Sequence, residues 1–211
     1  MKTFDLSLYL VLDPVLCRQI GMVETAKLAV AGGVTIVQLR DKAADTVTMV
    51  DIGRALKAAL AQTGVPLIIN DDVDAAVAIG AEGVHVGQAD LEVAKVRGRV
   101  PRDMILGLSV ETVDLARAVD PQLVDYVGVG PVHATGTKPD HKAPIGFDGL
   151  RKAVAAAPVP SVAIGGLKAE HVAQVVRAGA DGLAVVSAIC GKEDPRAAAR
   201  AIADEIERAR Q

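Results

Sequence analysis

The chain has 211 residues, 51% of them hydrophobic and 23% charged, which is the composition of an ordered globular protein with a buried core. A formal net charge of -3, a sequence pI of about 5.8 and only 2% aromatic residues argue against a nucleic-acid partner. No apolar run approaches the roughly 20 residues needed to cross a bilayer, and the two cysteines match no zinc or redox spacing in a chain without an evident signal peptide, so we expect a cytoplasmic protein with no membrane partner.

Eight short apolar runs follow one another along the chain. They are SLYLVL from Ser7, VTIVQL from Val34, VPLII from Val65, GVHV from Gly83, MILGLS from Met104, DYVGVG from Asp125, VPSVAI from Val159 and DGLAVV from Asp181. Runs without polar alternation are typical of parallel strands that are covered on both faces. Ala-rich segments with helical spacing lie between them, and a last charged helix is expected from about Pro195 to Arg210.

This alternation predicts a parallel eight-stranded sheet, either closed as a single-domain (β/α)8 TIM barrel over residues 1–211 or open and doubly wound. Two features favour the barrel. A Gly-Ala-acid-Gly joint recurs in GAEGV from Gly80 and GADGL from Gly179, and no dinucleotide-binding G-x-G-x-x-G follows the first run. Helix C-termini are expected near Gly32, Gly64 and Gly179.

In a barrel the functional groups collect at the carboxyl ends of the strands. The second run ends in Gln38, Arg40 and Lys42, alternate positions that an extended chain points the same way. Such a fork suits a highly charged anion, since Arg binds oxygens bidentately and Lys acts as a point charge. The alternative is a strand end whose charges pair in solvent with Asp41 and Asp45.

Asp71 and Asp90 follow the third and fourth runs, so a barrel would bring both carboxylates to the same rim. Beside a cationic cluster they suit Mg²⁺, which takes one or two protein carboxylates plus phosphate oxygens and water. Taken alone, Asp71 is better explained as the N-cap of a helix from Val73 to Ile79. That role leaves Asp90 unexplained.

The seventh and eighth runs end in IGGL, residues 164–167, and VVSAI, residues 185–189. Loops at these positions of a barrel frequently bind phosphate through backbone N–H groups, although Gly165-Gly166 could simply make a tight turn. His85 lies in an apolar run and is expected to be a core or wall residue satisfied by the backbone, not a metal ligand. His133 and His141 are candidate acids or bases without a zinc-binding pattern.

The ordered set of motifs resembles the thiamine phosphate synthase family over nearly the full chain. The set comprises YLVLD from Tyr9, VQLRDK from Val37, IIND from Ile68, GVHVGQADL from Gly83, GLSV from Gly107, DYVGVGPV with TGTK, AIGG from Ala163 and VVSAI from Val185. The resemblance implies coupling of 4-amino-5-hydroxymethyl-2-methylpyrimidine diphosphate to a thiazole phosphate, which gives thiamine phosphate and pyrophosphate with Mg²⁺.

The same resemblance implies the roles of the site residues. The pyrimidine diphosphate would be held by residues 38–42 (Gln38, Leu39, Arg40, Asp41 and Lys42), Asn70, Ser109 and Lys138. The thiazole phosphate would be held by Thr135, Gly136, Thr137, Gly165, Gly166, Val186 and Ser187. Asp71 and Asp90 would hold Mg²⁺, and Arg40, Ser109 and Lys138 would be the catalytic residues.

Two departures from the family pattern are visible. His133-Ala134 replaces a frequent Phe-Pro, and IINDD replaces a frequent IINDR, which places Asp72 beside a proposed metal ligand, where it could raise metal affinity or cap a helix. Two other functions remain open: a thiazole tautomerase-like relative, and a non-catalytic sensor of phosphorylated thiamine precursors. The sequence leaves a homo-oligomer open as well.

Overall fold

The computed structural model describes residues 4–136 and 142–211 of the chain, in which eight parallel strands close into a barrel in chain order. The strands are β1 (Leu8–Leu12), β2 (Ile36–Leu39), β3 (Leu67–Asn70), β4 (Gly83–Val86), β5 (Ile105–Val110), β6 (Tyr126–Val129), β7 (Ser161–Ile164) and β8 (Gly182–Val185). Because β1 pairs with both β2 and β8, the sheet has no edge. The predicted TIM barrel is confirmed, and the open doubly wound sheet is wrong.

A helix follows each strand and covers the outside of the sheet. The helices are α1 (Met22–Ala31), α2 (Thr46–Leu60), α3 (Val73–Ile79), α4 (Val93–Arg99), α5 (Val113–Arg117), α6 (Gly146–Ala156), α7 (Val172–Arg177, after a short 3-10 helix at Ala169–His171) and α8 (Pro195–Ala209). The prediction of Gly64 as a helix C-terminus is wrong, because α2 already ends at Leu60 with its C-cap at Ala61. None of the helices in the described part of the chain is both long and apolar enough to span a bilayer.

Strand residues alternate between two hydrophobic cores, which explains why the runs are apolar at every position. One core fills the barrel and includes Tyr9, Ile36, Ile68 and Tyr126. The other lies between the sheet and the helices and contains the alternating neighbours, such as Leu39. Each strand is therefore buried on both faces, as a parallel sheet requires.

In the repeated Gly-Ala-acid-Gly joint, the first glycine and the acidic residue have different structural roles. Gly80 and Gly179 have positive φ values of 64° and 88° just after α3 and α7, a conformation that disfavours a side chain. The acid then accepts the N–H of a residue on the preceding strand: Glu82 from Leu67 at 3.0 Å, and Asp181 from Ser161 at 2.7 Å. The joint thus both ends a helix and fixes the register of the next strand.

Candidate functional site

A cavity of about 460 Å³ opens at the carboxyl ends of the strands. This volume is in the range of small-molecule sites. The predicted site residues that line it are Gln38, Arg40, Lys42, Asn70, Asp71, Asp90, Ser109, Thr135, Gly165, Gly166, Val186 and Ser187. The barrel therefore brings residues that follow different strands around one space.

Other predicted residues lie elsewhere or outside the described ranges. Leu39 is fully buried in the outer core between sheet and helices, and Gly136 does not line the cavity. The Asp41 carboxylate accepts the backbone N–H groups of Ala43 and Ala44, so it shapes the turn after β2 rather than facing the cavity. Thr137, Lys138 and His141 lie outside the described residues.

The cationic fork after β2 points into the barrel. Gln38 is 5% exposed and its Nε2 donates a 2.8 Å hydrogen bond to the Tyr9 hydroxyl, while Arg40 and Lys42 line the cavity mouth. Asp45, proposed as a solvent partner for these charges, instead caps α2 by accepting the Thr48 N–H at 2.9 Å. Asp41 and Asp45 are thus both bonded to backbone, and Arg40 and Lys42 line the cavity, where such a pair of cations suits an anion.

Asp71 and Asp90 face each other on the same rim. The Asp71 N–H bonds to the His85 carbonyl at 2.8 Å, which ties this residue to β4, and Asp90 Oδ2 accepts the Gly87 N–H at 2.6 Å. Burial, then the hydrogen bond and charge of Asp90, raises the pKa of Asp71 to about 6. A carboxylate whose ionisation is opposed by a neighbouring carboxylate is an arrangement that a divalent cation would stabilise.

The N-cap of α3 is Asp72 and not Asp71. Asp72 has extended backbone geometry and its carboxylate accepts the Ala75 N–H at 2.8 Å. Asp71 has a φ of 63°, a left-handed value that no other non-glycine residue adopts in residues 4–136 and 142–211. Such a conformation is uncommon outside glycine and concentrates at functional sites. The capping explanation of Asp71 is therefore wrong, and its carboxylate remains available to the cavity.

The turn after β7 presents backbone to the opposite side of the cavity. Gly165 and Gly166 have φ values of 105° and 64°, and a Cβ on Gly166 would lie 2.7 Å from the Ala134 carbonyl oxygen and 2.9 Å from the His133 Cβ. Both glycines therefore have a conformational and a steric reason to lack a side chain. Gly165, Gly166 and Thr135 line this side of the cavity, where backbone next to glycine suits a phosphate.

The histidines occupy places that the sequence did not reveal. His133 does not line the cavity; its ring packs edge-on against Phe147, with centroids 5.0 Å apart, and lies 4.9 Å from His171. His85 was expected to be satisfied by backbone, but its ring nitrogens contact side chains, with Nδ1 2.9 Å from the Tyr126 hydroxyl and Nε2 2.9 Å from Ser109 Oγ.

Several cavity residues were not among the predicted site residues. They are His85, Gln88, Glu111 and Lys142, together with Tyr9, for which the end of the first strand left two roles open, lining the pocket floor or only stabilising it. Gln88 Nε2 donates to the Ser109 carbonyl at 2.8 Å, so it joins the ends of β4 and β5. A signal existed for two of them, because Gln88 and Glu111 closely follow strands, as the predicted residues do. No strand end or motif in the sequence indicated that Lys142 lines the cavity.

Comparison with known proteins gives one consistent result. The family model described as thiamine monophosphate synthase matches residues 8–189. Thiamine-phosphate synthase of Azorhizobium caulinodans is 50% identical over 98% of each chain, and that of Xanthobacter autotrophicus is 52% identical over 95% of each. Among solved structures, thiamine phosphate pyrophosphorylase from Pyrococcus furiosus superposes with a TM-score of 0.87 at 34% identity, covering 97% of this chain and 96% of its own.

Proposed function

The chain belongs to the thiamine monophosphate synthase family, and we propose that its cavity couples the pyrimidine diphosphate to the thiazole phosphate with release of pyrophosphate. Similarity to thiamine-phosphate synthases over nearly the whole chain favours the synthase over a tautomerase-like relative or a sensor. The reaction is an alkyl transfer in thiamine biosynthesis.

One observation supports the proposal for the site: a single cavity has two chemically different sides, each of which suits an anion. The side formed by β2 to β5 carries Arg40, Lys42 and the Asp71–Asp90 pair. The side formed by β6 to β8 carries the glycine turn and Thr135. Cations with carboxylates suit a diphosphate bound through a metal, while backbone N–H groups beside glycines suit a monophosphate. A condensing enzyme for two phosphorylated substrates needs both sides at once.

The Asp71–Asp90 pair fits Mg²⁺. The described ranges, 4–136 and 142–211, contain no cluster of three or more His, Cys, Asp or Glu residues that could bind a metal. A cation held by this pair would therefore complete its coordination with diphosphate oxygens and water, which is the usual manner of Mg²⁺. Bound there, Mg²⁺ would neutralise charge on the leaving pyrophosphate.

The residues around the pyrimidine diphosphate have the chemistry that pyrophosphate departure requires. An electron-rich aminopyrimidine can stabilise positive charge on its exocyclic methylene, so the carbon–oxygen bond can break before the thiazole nitrogen attacks. Arg40 and Lys42 then bind the developing negative charge, and Ser109 supplies a hydroxyl on the same side. Lys138, outside the described residues, is proposed for the same role. Attack by a nitrogen lone pair needs no strong general base, and the enzyme's main contribution is orientation.

The Gln38 side chain has a fixed orientation. Its Nε2 is committed to Tyr9, so its carbonyl oxygen is the group that can accept a hydrogen bond from a substrate amine. We propose that this oxygen meets the pyrimidine amino group.

Incubation of the purified protein with both substrates and Mg²⁺, followed by quantification of thiamine phosphate and pyrophosphate, tests the function. We expect equimolar products, and no product without Mg²⁺. Arg40→Met should lower turnover by at least about 100-fold, since it removes a charge-assisted contact to the leaving group. Arg54→Met, which removes an exposed arginine of α2 outside the cavity, is the matched control. Absence of both products from the wild-type protein would contradict the synthase proposal.

We also propose a cytoplasmic location and leave self-association to measurement. The two cysteines match no zinc or redox spacing, which supports this proposal. Cell fractionation and sedimentation velocity would test location and homo-oligomer formation.

A further inference from the structure

A continuous line of side-chain hydrogen bonds crosses the buried end of the cavity. Gln38 Nε2 lies 2.8 Å from the Tyr9 hydroxyl, which lies 2.7 Å from the Tyr126 hydroxyl. Tyr126 in turn contacts His85 Nδ1 at 2.9 Å, and His85 Nε2 contacts Ser109 Oγ at 2.9 Å. The line therefore connects the two proposed substrate residues Gln38 and Ser109 through three side chains with no function assigned above.

The barrel is built to allow this line. In the strand register His85 is paired with Gly107, and Gly107 with Tyr126, so one glycine lies between the two long side chains. A Cβ on Gly107 would overlap both the Tyr126 phenol and His85 Nδ1. Gly128, paired with Ser109, borders the same ring: a Cβ there would lie 3.3 Å from His85 Cε1. Two glycines thus leave the space that the histidine ring occupies.

The number of protons on these side chains determines which atom donates in each hydrogen bond of the line. Burial raises the pKa of both Tyr9 and Tyr126 above the usual range, so each phenol keeps its single proton at neutral pH. Gln38 donates to Tyr9, and the buried Tyr9 proton is then satisfied by donation to Tyr126. Tyr126 must donate onward to His85 Nδ1. In the reverse direction Tyr9 would accept twice and its own proton would be left without an acceptor among these partners.

The consequence falls on Ser109. With Nδ1 accepting from Tyr126, a neutral His85 carries its proton on Nε2 and donates it to Ser109 Oγ. The serine oxygen then accepts from the histidine, and its own proton is directed to another acceptor. Ser109 lines the cavity on the side proposed for the diphosphate, so that acceptor is the substrate anion.

We propose that Tyr9, Tyr126 and His85 are positioning residues that fix the His85 proton on Nε2 and thereby make the Ser109 hydroxyl a hydrogen-bond donor to the leaving pyrophosphate. The Ser109 part of this inference rests on the proposed function, while the histidine tautomer does not. Without the Tyr126 hydroxyl, the imidazole proton can move to Nδ1. Ser109 would then donate to bare Nε2 and be lost as a donor to substrate.

Imidazole ¹⁵N chemical shifts of the wild-type protein test the tautomer directly. The His85 signals are assigned as those that disappear in His85→Gln. We expect protonated Nε2 and bare Nδ1 in the wild type, and loss of this single tautomer in Tyr126→Phe. A proton on Nδ1 in the wild type would overturn the inference. Because the spectrum needs no turnover, it tests the tautomer even if the wild type makes no thiamine phosphate and the proposed function fails.

Kinetics test the effect on Ser109. We expect Tyr126→Phe to lower kcat about 10- to 100-fold, with the KM for the pyrimidine diphosphate changed less than about threefold, because the hydroxyl acts on charge that develops during departure. In the Ser109→Ala variant, the additional change Tyr126→Phe should lower kcat no further. If the double variant instead shows the product of the two separate losses in kcat, the proposal is overturned. If Tyr126→Phe does not fold, Tyr9→Phe takes its place in these measurements, because it removes the hydrogen bond between the Tyr9 and Tyr126 hydroxyls. Thr25→Val removes another buried hydroxyl, which bonds to the Gly21 carbonyl, and should leave kcat unchanged.

Discussion

Replacement of Gly166 by alanine tests the glycine turn after β7 as the thiazole phosphate site. Its φ of 64° costs a residue with a Cβ about 1 kcal/mol. The new Cβ would lie 2.7 Å from the Ala134 carbonyl oxygen and 2.9 Å from the His133 Cβ, and the first of these is backbone that cannot rotate away. Overpacking of this kind costs about 1–3 kcal/mol. The total of about 2–4 kcal/mol leaves a typical domain folded but forces the two loops apart.

We expect Gly166→Ala to raise the KM for the thiazole phosphate at least about tenfold, while the KM for the pyrimidine diphosphate stays within about twofold. Steady-state assays with each substrate varied in turn measure this, and urea denaturation measures the loss of stability. Gly64→Ala is the matched control, because Gly64 has a similar φ of 72°, a Cβ there meets nothing within 4 Å, and the residue does not line the cavity. An unchanged thiazole phosphate KM together with a full loss of stability would refute the assignment of the phosphate to this turn.

Three further outcomes follow from the same geometry. The double variant Asp71→Asn with Asp90→Asn should lower Mg²⁺-dependent turnover at least about 100-fold, with its circular dichroism spectrum unchanged. The control variant Asp72→Asn should stay active, because asparagine is also a good N-cap residue for α3. The pKa of Asp71 is raised to about 6 in the folded protein, against about 4 in the unfolded chain. The stability that this carboxyl contributes is therefore present below about pH 4 and is lost as the pH rises through about 6. Asp71→Asn should raise the urea midpoint at pH 7.5 but not at pH 4. Gly107→Ala should lower the free energy of unfolding by about 2–4 kcal/mol through overlap with Tyr126 and His85, while Gly98→Ala, in α4 with open space around it, should be neutral or stabilising in the same urea titration.

Protonation of Asp71 also predicts how Mg²⁺ binding depends on pH. The cation competes with the proton for this carboxylate, so the apparent Mg²⁺ affinity should fall by about tenfold for each pH unit below 6. Isothermal titration with Mg²⁺ alone at pH 5, 6 and 7.5 would measure it. An affinity that does not change over this range would separate Asp71 from the metal site.

Much of the barrel was accessible from sequence because its signals are local. Strands buried on both faces read as unbroken apolar runs, and helices read by their spacing, so all eight units were found. The rim was also partly accessible, since strand ends are visible in the sequence and the barrel carries all of them to one face. For that reason the positions of Gln38, Asn70 and Ser109 at strand ends were enough to predict that they lie around one cavity.

The sequence did not show which of two adjacent residues takes a given structural role. Asp71 and Asp72 are equivalent by type, and only their backbone conformations show that Asp72 caps α3 while Asp71 turns toward Asp90. His133 was a candidate acid or base by its place in the loop, but its ring packs on Phe147 outside the cavity. Side-chain direction in irregular loops depends on neighbours distant in sequence, which no local pattern records.

The sequence by itself determined the alternation of strands and helices, the closed barrel as the favoured architecture, and the order of charged and glycine-rich strand ends. Those properties depend on residue type and spacing along one segment. Only the tertiary structure decided which buried side chains touch across strands, as in the line from Gln38 through Tyr126 to Ser109. Such contacts depend on strand register and on the space left by Gly107, so they exist only once the barrel has closed.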